Sequence, residues 1–242
     1  MHYLLFILLA PILFFQGRIV KKITPQLPEA AGPRHGSAGE GKAMSVLILG
    51  DSAAAGVGVE YQNQALTGVV VNHLAQLYQV DWRLLAKSGH NTAQTIDMLQ
   101  QALANQHGMR FEAVVVSLGV NDVLSPLTVN KWIRQQQALI ELITRELNCR
   151  HLILTRVPPM GDFPVLPQPL RWFLGQRSQA FNRQLLRYAQ REPRFTLLDF
   201  GHQLNCDAMA TDGFHPGELI YKDWGKSVVN VLLAQESSSD VN

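Results

Sequence analysis

Residues 45–52 read SVLILGDS, and this short stretch decides the fold. Four apolar residues follow Ser45 without a polar interruption, which is typical of a strand buried on both faces of a parallel sheet. Gly50 ends the run and permits a tight turn because it has no Cβ. Ser52 follows that turn directly. The stretch therefore predicts a central strand whose carboxyl end presents a serine hydroxyl near the start of a helix.

Strand-like and helix-like segments alternate along the rest of the chain. Further strands are predicted at 82–86, 111–119, 151–157 and 195–200. Helices are predicted at 63–79, 92–104, 129–147, 173–189 and 216–233, several of them with apolar residues at helical spacing. Strands that alternate with helices of this length predict an α/β fold. We expect a three-layer α/β/α sandwich, flavodoxin-like, with a mostly parallel five-stranded sheet.

The chain before this domain falls into two parts. Residues 23–43 contain three prolines and four glycines and are predicted to be a linker, so that the domain covers residues 44–236. Residues 1–22 contain the apolar run Tyr3–Phe15, followed by Arg18, Lys21 and Lys22. The run is shorter than the roughly 20 residues of a membrane-spanning helix, although an extension to Val20 reaches that length marginally.

We interpret residues 1–22 as a hydrophobic anchor or signal-like segment through which the protein associates with a membrane. The basic residues after the run favour a cytoplasmic domain, and a periplasmic or secreted location is the alternative. The sequence carries no signal for the oligomeric state.

Composition narrows the classes of function. The 242 residues are 47% hydrophobic and 17% charged, which is typical of a globular protein. The 21 basic and 19 acidic residues give a net charge of +2, too balanced for a nucleic-acid-binding surface. Cys149 and Cys206 have no neighbouring ligands at metal-binding spacing. We therefore expect no nucleic-acid partner, no metal and no organic cofactor.

Polar motifs follow the ends of the predicted strands. They are Gly50-Asp51-Ser52, Ser88-Gly89, Gly119-Val120-Asn121-Asp122 and, after the last strand, Asp212-Gly213-Phe214-His215. Because ligands of parallel α/β sheets bind at the carboxyl ends of the strands, these motifs should converge on one edge. Acyl transfer requires a nucleophile, a base, a group that orients the base, and donors for an oxyanion.

Each of these roles has a candidate residue. Ser52 is the candidate nucleophile, His215 the base, and Asp212 the residue that fixes the tautomer of the imidazole. The backbone N–H groups of Ser52 and Gly89 and the side-chain amide of Asn121 are the candidate oxyanion donors. Asp51 and Asp122 are expected to hydrogen-bond loop backbone rather than to form a catalytic pair.

In order and spacing, the four motifs resemble the conserved blocks of the GDSL/SGNH hydrolase superfamily over most of residues 45–235. The neighbourhood of the motifs looks most similar to bacterial lysophospholipase/thioesterase-like esterases. The resemblance implies that Ser52, Asp212 and His215 form a triad and that Gly89 and Asn121 belong to the oxyanion hole. The first block departs from the family by reading GDSAAAG. Ala86 stands where many members carry Asn, which predicts a different support for the loop around Gly89.

Residues 158–173 form an unusual proline-rich and apolar segment after the fourth predicted strand. We expect Phe163, Leu166 and Trp172 to contribute an apolar lip that binds an acyl chain or lipid, the alternative being a loop packed on the core. The sequence as a whole predicts a serine hydrolase that cleaves carboxylic or thioesters through an acyl-serine, with a small acyl ester or lipid as substrate. Two alternatives remain open at this point, a non-catalytic membrane-tethered binding protein on the same fold and an acyltransferase.

Overall fold

A computed structural model describes residues 2–106, 108–199 and 206–239. Its six-stranded sheet has the order β1–β3–β2–β4–β5–β6, and every pair of neighbouring strands except β1–β3 is parallel. The strands are β1 (His35–Ala38), β2 (Lys42–Gly50), β3 (Tyr78–Ala86), β4 (Ala113–Ser117), β5 (His151–Thr155) and β6 (Thr196–Leu198). The predicted α/β sandwich with a mostly parallel sheet is confirmed, with one strand more than expected.

Helices cover both faces of the sheet. They are α1 (His2–Ile23), α2 (Leu66–Leu74), α3 (Thr92–Asn105), α4 (Val120–Leu124), α5 (Val129–Glu146), α6 (Leu170–Ala189) and α7 (Glu218–Ser239). The alternation of side chains along β2 explains the continuous apolar run of this strand. Leu47 and Leu49 belong to the core shared with α3, α5 and α6, whereas Val46 and Ile48 face α2 and α7.

Part of the segment predicted to be a linker belongs to the domain. β1 pairs antiparallel with β3, from His35 opposite Arg83 to Ala38 opposite Val80. Upstream of β1, Ala30 is buried and its N–H donates to the carbonyl of Ala55. The linker prediction for residues 23–43 was therefore wrong over this stretch. The strand was missed because HGSA is short, polar and largely exposed at the sheet edge, so it has no apolar alternation.

The first helix extends beyond the apolar run Tyr3–Phe15 and lies against α6. The Gln16 side chain donates to the carbonyl of Gln168 at 2.7 Å and accepts from the N–H of Leu170 at 3.1 Å. Val20 is buried, while Phe14 and Phe15 are exposed. Within the described residues, no helix has the length and apolar character needed to cross a membrane. Association of residues 1–22 with a membrane stays a prediction.

Gly50 is the point of closest packing at the carboxyl end of β2. A Cβ at this position would lie 2.3 Å from the carbonyl oxygen of Ser117 and 2.7 Å from the Cβ of Ala54. The first of these atoms belongs to the backbone of β4, which cannot move without disturbing the sheet. The absence of a side chain at Gly50 therefore lets the turn to Ser52 lie close to β4.

Gly50→Ala should destabilise the protein by about 1–3 kcal/mol, because overpacking at this site forces the backbone of β2 or β4 to shift. Urea denaturation measures the change in the free energy of unfolding. Gly17→Ala is the matched control, since a Cβ there meets no atom within 4 Å in the middle of α1. Equal stability of the two variants would contradict the packing argument.

Candidate active site

The predicted motifs meet at the carboxyl edge of the sheet. Gly50 pairs with Ala86 of β3 on one side and with Ser117 of β4 on the other, so the loops after these three strands begin side by side. Ser52 lies in the first loop, and the N–H of Lys87 in the second loop donates to the carbonyl of Gly50 at 3.2 Å. Parallel pairing therefore brings together residues that are far apart in the sequence.

Ser52, His215 and Asp212 form a hydrogen-bonded series. The Oγ of Ser52 lies 2.9 Å from Nε2 of His215, and Nδ1 of His215 lies 2.6 Å from Oδ2 of Asp212. His215 is only partly buried, which leaves its ring accessible from the side of Ser52. The hydroxyl can give a proton to the imidazole, and the carboxylate can hold the opposite nitrogen as an N–H donor.

Asp212 is held by its own loop as well as by the imidazole. The residue is 3% exposed, and Oδ1 accepts the backbone N–H groups of Phe214 and His215, each at 2.9 Å. Burial would raise the pKa of Asp212, but the hydrogen bonds from His215 and Phe214 outweigh it and lower the pKa. The carboxylate therefore stays ionised and can accept from His215.

The candidate oxyanion side is built by Asn121 and the loop that contains Gly89. Nδ2 of Asn121 donates to the carbonyl of His90 at 2.9 Å and lies 3.4 Å from Oδ2 of Asp51. Gly89 is exposed and has a φ of +81°, a conformation that favours glycine. The structure thus places Asn121 against the loop of Gly89, as the two predicted motifs require.

Asp51 and Asp122 bond to loop backbone, as expected. Oδ1 of Asp51 accepts the N–H of Ala53 at 3.1 Å. Asp122 accepts the backbone N–H of Thr92 and, at 2.8 Å, its hydroxyl, while Gln136 donates to that hydroxyl at 2.9 Å. Burial raises the pKa of Asp122, and the bonds from Thr92 oppose the rise. Asp122 therefore fixes the start of α3, directly after the Gly89 loop.

Two further residues that hold this loop were not predicted from the sequence. The guanidinium group of Arg34 donates to the carbonyl of Ala86 at 2.7 Å, and a carboxylate oxygen of Glu29 accepts the N–H of Ser88 at 2.8 Å. The two side chains also bond to each other at 2.5 Å. Both belong to the segment predicted to be a linker, and no motif marks them. The departure at Ala86 was the only hint that this loop is held in another way.

An apolar cavity of about 70 Å³ opens beside Ser52 and His215. Leu118, Val120, Phe163, Phe214, Ile220 and Trp224 are among the residues that line it. Phe163 lies edge-on against Phe214, with ring centroids 5.2 Å apart. Of the three predicted substrate contacts, Phe163 alone lines this cavity.

The other two predicted contacts need correction. Leu166 is 2% exposed and packs in the core with α5 and α6, because the turn at 163–166 points its side chain inward. Trp172 is 37% exposed and lies in the first turn of α6, outside the cavity lining. Apolar composition identified the segment, but it could not distinguish residues that face the core from residues that face the cavity.

A second group of ionisable side chains lies at the opposite, amino end of the strands. Glu112, His151 and Glu236 bring their ligand atoms within 4.8 Å of one another. Lys42 contacts Glu236 at 3.1 Å, and Arg150 lies 3.7 Å from both glutamates. With two cations already against these carboxylates, the group is an ion-pair network that joins α7 to the sheet, far from Ser52.

Serine, histidine and aspartate are thus hydrogen-bonded in series at the carboxyl edge of a mostly parallel sheet, an arrangement that hydrolases with a catalytic triad also use. The chain belongs to the GDSL-like lipase/acylhydrolase family, whose model matches residues 48–222. It is accordingly a hydrolase of lipase or esterase type. No curated protein sequence matches the chain.

Solved structures share this fold at low sequence identity. TesA is 22% identical with a TM-score of 0.62, over 79% of this chain and 99% of that one. The esterase EstA from Pseudoalteromonas sp., in a structure inhibited by monoethylphosphonate, is 22% identical with a TM-score of 0.58, over 78% and 98%. A member of the lipolytic G-D-S-L family from Veillonella parvula is 17% identical with a TM-score of 0.63, over 78% and 97%.

The protonation of Asp51 makes the free energy of unfolding depend on pH. Burial raises its pKa to about 7, although the N–H of Ala53 opposes the rise. In the unfolded chain the pKa is near 3.8, so between these two values the folded protein retains a proton that the unfolded chain has lost. The contribution of Asp51 to stability is therefore most favourable below the lower pKa and decreases as the pH rises toward about 7.

Asp51→Asn removes this titration. The stability of the variant relative to the natural protein should therefore rise between pH 4 and pH 7.5, by up to about 1.4 kcal/mol for each unit of the pKa shift. Urea denaturation at several pH values measures both free energies of unfolding. Parallel pH profiles for the two proteins would show that Asp51 does not titrate in this range.

Proposed function

We propose that the protein cleaves carboxylic or thioesters through an acyl intermediate on Ser52. The observation that carries the proposal is the series of hydrogen bonds from Ser52 through His215 to Asp212. Membership in a family of lipases and acylhydrolases supports the same chemistry. The proposed chemistry uses groups of the protein and water and needs no metal or organic cofactor.

In the first half of the reaction, Oγ of Ser52 attacks the carbonyl carbon while Nε2 of His215 accepts the hydroxyl proton. The carbonyl π electrons move to the oxygen and give a tetrahedral oxyanion. When this intermediate collapses, the bond to the leaving alcohol or thiol breaks and His215 returns the proton to that group. The product is an ester between the acyl group and Ser52.

In the second half, His215 takes a proton from water, and the resulting hydroxide attacks the acyl carbon. Collapse of the second tetrahedral intermediate releases the carboxylic acid and returns the proton to Ser52. Asp212 accepts from Nδ1 throughout, which keeps Nε2 free to act as the base and stabilises the imidazolium. The lowered pKa of Asp212 suits this role because the residue must remain charged.

Three donors are proposed for the oxyanion: the backbone N–H groups of Ser52 and Gly89 and the side-chain amide of Asn121. Nδ2 of Asn121 carries two hydrogens. The 2.9 Å bond to His90 holds one of them, and the 3.4 Å contact with Asp51 is long for a hydrogen bond. The second hydrogen is therefore the one that can turn toward a developing oxyanion.

The cavity beside Ser52 is proposed to bind the acyl group. About 70 Å³ of the cavity is open to the centre of a water-sized sphere, several times the roughly 10–15 Å³ that one water molecule requires on that measure. Such a space fits a short acyl chain, and a longer chain must extend beyond the cavity. The proposed substrates are therefore short-chain esters, or lipids whose acyl chain projects beyond the cavity.

Ser52→Ala should lower the rate of p-nitrophenyl acetate hydrolysis by roughly 10⁴-fold or more, because the nucleophile is lost. The same variant should not be labelled by a fluorophosphonate probe. Ser227→Ala is the control, since its hydroxyl donates to the carbonyl of Asp223 on the surface of α7. Unchanged hydrolysis in folded Ser52→Ala would overturn the mechanism. A natural protein that neither hydrolyses esters nor reacts with the probe would favour the non-catalytic binding protein.

Phe163→Leu should shift the preferred substrate toward longer acyl chains, because the smaller side chain enlarges the cavity that Phe163 lines. Each additional methylene that the cavity admits should favour the longer ester by about fourfold in kcat/KM. A series of p-nitrophenyl esters measures this profile, with thermal unfolding as the check on folding. Trp172→Leu is the matched control, because Trp172 lies outside the lining. An identical profile for Phe163→Leu and the natural protein would exclude this cavity as the acyl site.

A further inference from the structure

Glu29 and Arg34 form a clamp across the carboxyl end of β3. Arg34 donates to the carbonyl of Ala86, the last residue of the strand, at 2.7 Å. Glu29 accepts the N–H of Ser88 at 2.8 Å, and the two side chains are joined at 2.5 Å. The backbone carbonyl of Arg34 also accepts the N–H of Leu84 at 2.7 Å. The clamp is thus attached both to β3 and to the loop that follows it.

The same loop is held from two other directions. The N–H of Lys87 donates to the carbonyl of Gly50 at 3.2 Å, and that of His90 donates to the carbonyl of Lys87. Asn121 donates to the carbonyl of His90 at 2.9 Å. The residues on both sides of Gly89 therefore have fixed partners. The backbone N–H of Ser88 donates to the side chain of Glu29, which lies outside the parallel strands.

Gly89 itself lacks any packing that could fix its orientation. It is exposed, and a Cβ built on it would meet no atom within 4 Å. Rotation about the bonds between Ser88 and Gly89 turns the peptide plane that carries the Gly89 N–H. The hydrogen bond from the Ser88 N–H to Glu29 fixes the preceding peptide plane, which is the one relative to which the Gly89 plane is oriented. The direction of the proposed oxyanion donor is therefore set through its neighbours.

We infer that Glu29 and Arg34 are positioning residues that hold the Gly89 N–H in the direction required by the oxyanion. The inference rests on the proposed function, because Gly89 has this role only if Ser52 is acylated. Neither side chain is in the triad series. Both act on the loop through the backbone of Ser88 and Ala86.

Because the side chains of the clamp are partly exposed, an effect of their substitution on activity can be distinguished from an effect on stability. The side chains of Arg34 and Glu29 are 37% and 33% exposed, and ion pairs at such sites contribute little to stability. Substitutions in the clamp should therefore leave the midpoint of thermal unfolding almost unchanged. A loss of activity in these variants would come from the geometry of the site.

The test compares Glu29→Leu with Glu29→Gln in the full chain. Glutamine keeps an oxygen that can accept from Ser88, whereas leucine does not. We expect Glu29→Leu to lower kcat for p-nitrophenyl acetate by about tenfold or more with KM within about twofold, since misplacing a transition-state donor affects the chemical step. Glu29→Gln should recover most of that loss. Glu141→Leu, which breaks the surface pair with Arg194, is the matched control and should leave kcat unchanged.

Hydrogen exchange at residues 86–91 gives a readout that does not depend on activity. Exchange of the Ser88 amide should accelerate in Glu29→Leu and stay slow in Glu29→Gln. An unchanged kcat with unchanged exchange in Glu29→Leu would overturn the inference, and so would an equal loss of kcat in Glu141→Leu. Failure of the proposed function appears separately, as full activity in Ser52→Ala. Loss of activity in Ser52→Ala with normal kcat in Glu29→Leu would refute the positioning role alone.

Discussion

The site depends first on the parallel pairing of β2 with two neighbours at once. Because Gly50 lies opposite both Ala86 and Ser117, the chain leaves three strands at the same height and in the same direction. Ser52, Gly89 and Asn121 each lie within a few residues of one of these strand ends. This register brings the three loops that carry these residues to the same edge of the sheet.

This arrangement buries the carboxyl groups of two aspartates near Ser52. Hydrogen bonds offset the effect of burial on the pKa to a different extent at each of them. Asp212 receives three hydrogen bonds, two of them from the backbone and the ring of His215, and its pKa is lowered despite burial. Asp51 receives one backbone N–H and a long contact from Asn121, and its pKa is raised to about 7. Two buried aspartates near one serine thus differ in charge state near neutral pH. The difference follows from how many donors each loop directs at them.

Much of the fold and of the candidate site could be predicted because the relevant signals are local. The apolar run at 45–49 indicates a buried strand, and Ser52 and His215 stand in motifs that suggest acyl chemistry. β1, Glu29 and Arg34 could not be predicted, because their importance comes from contacts with β3 that no short pattern records. The direction in which Leu166 points is likewise set by packing against α5 and α6. Local composition identifies segments, whereas tertiary contacts decide which side chain faces which surface.

At Ala86 both the local sequence and the tertiary contacts bear on how the following loop is held. It occupies a place where many proteins that the sequence resembles carry asparagine, and its methyl group cannot hydrogen-bond the loop that follows. In this structure a guanidinium from outside the parallel core bonds to the carbonyl of Ala86, and its partner Glu29 bonds to Ser88. The loop after β3 is thus held by two side chains of a segment that precedes the parallel strands. The segment before β2 therefore contacts the loop that contains Gly89, and its strand β1 pairs with β3 directly after Arg34.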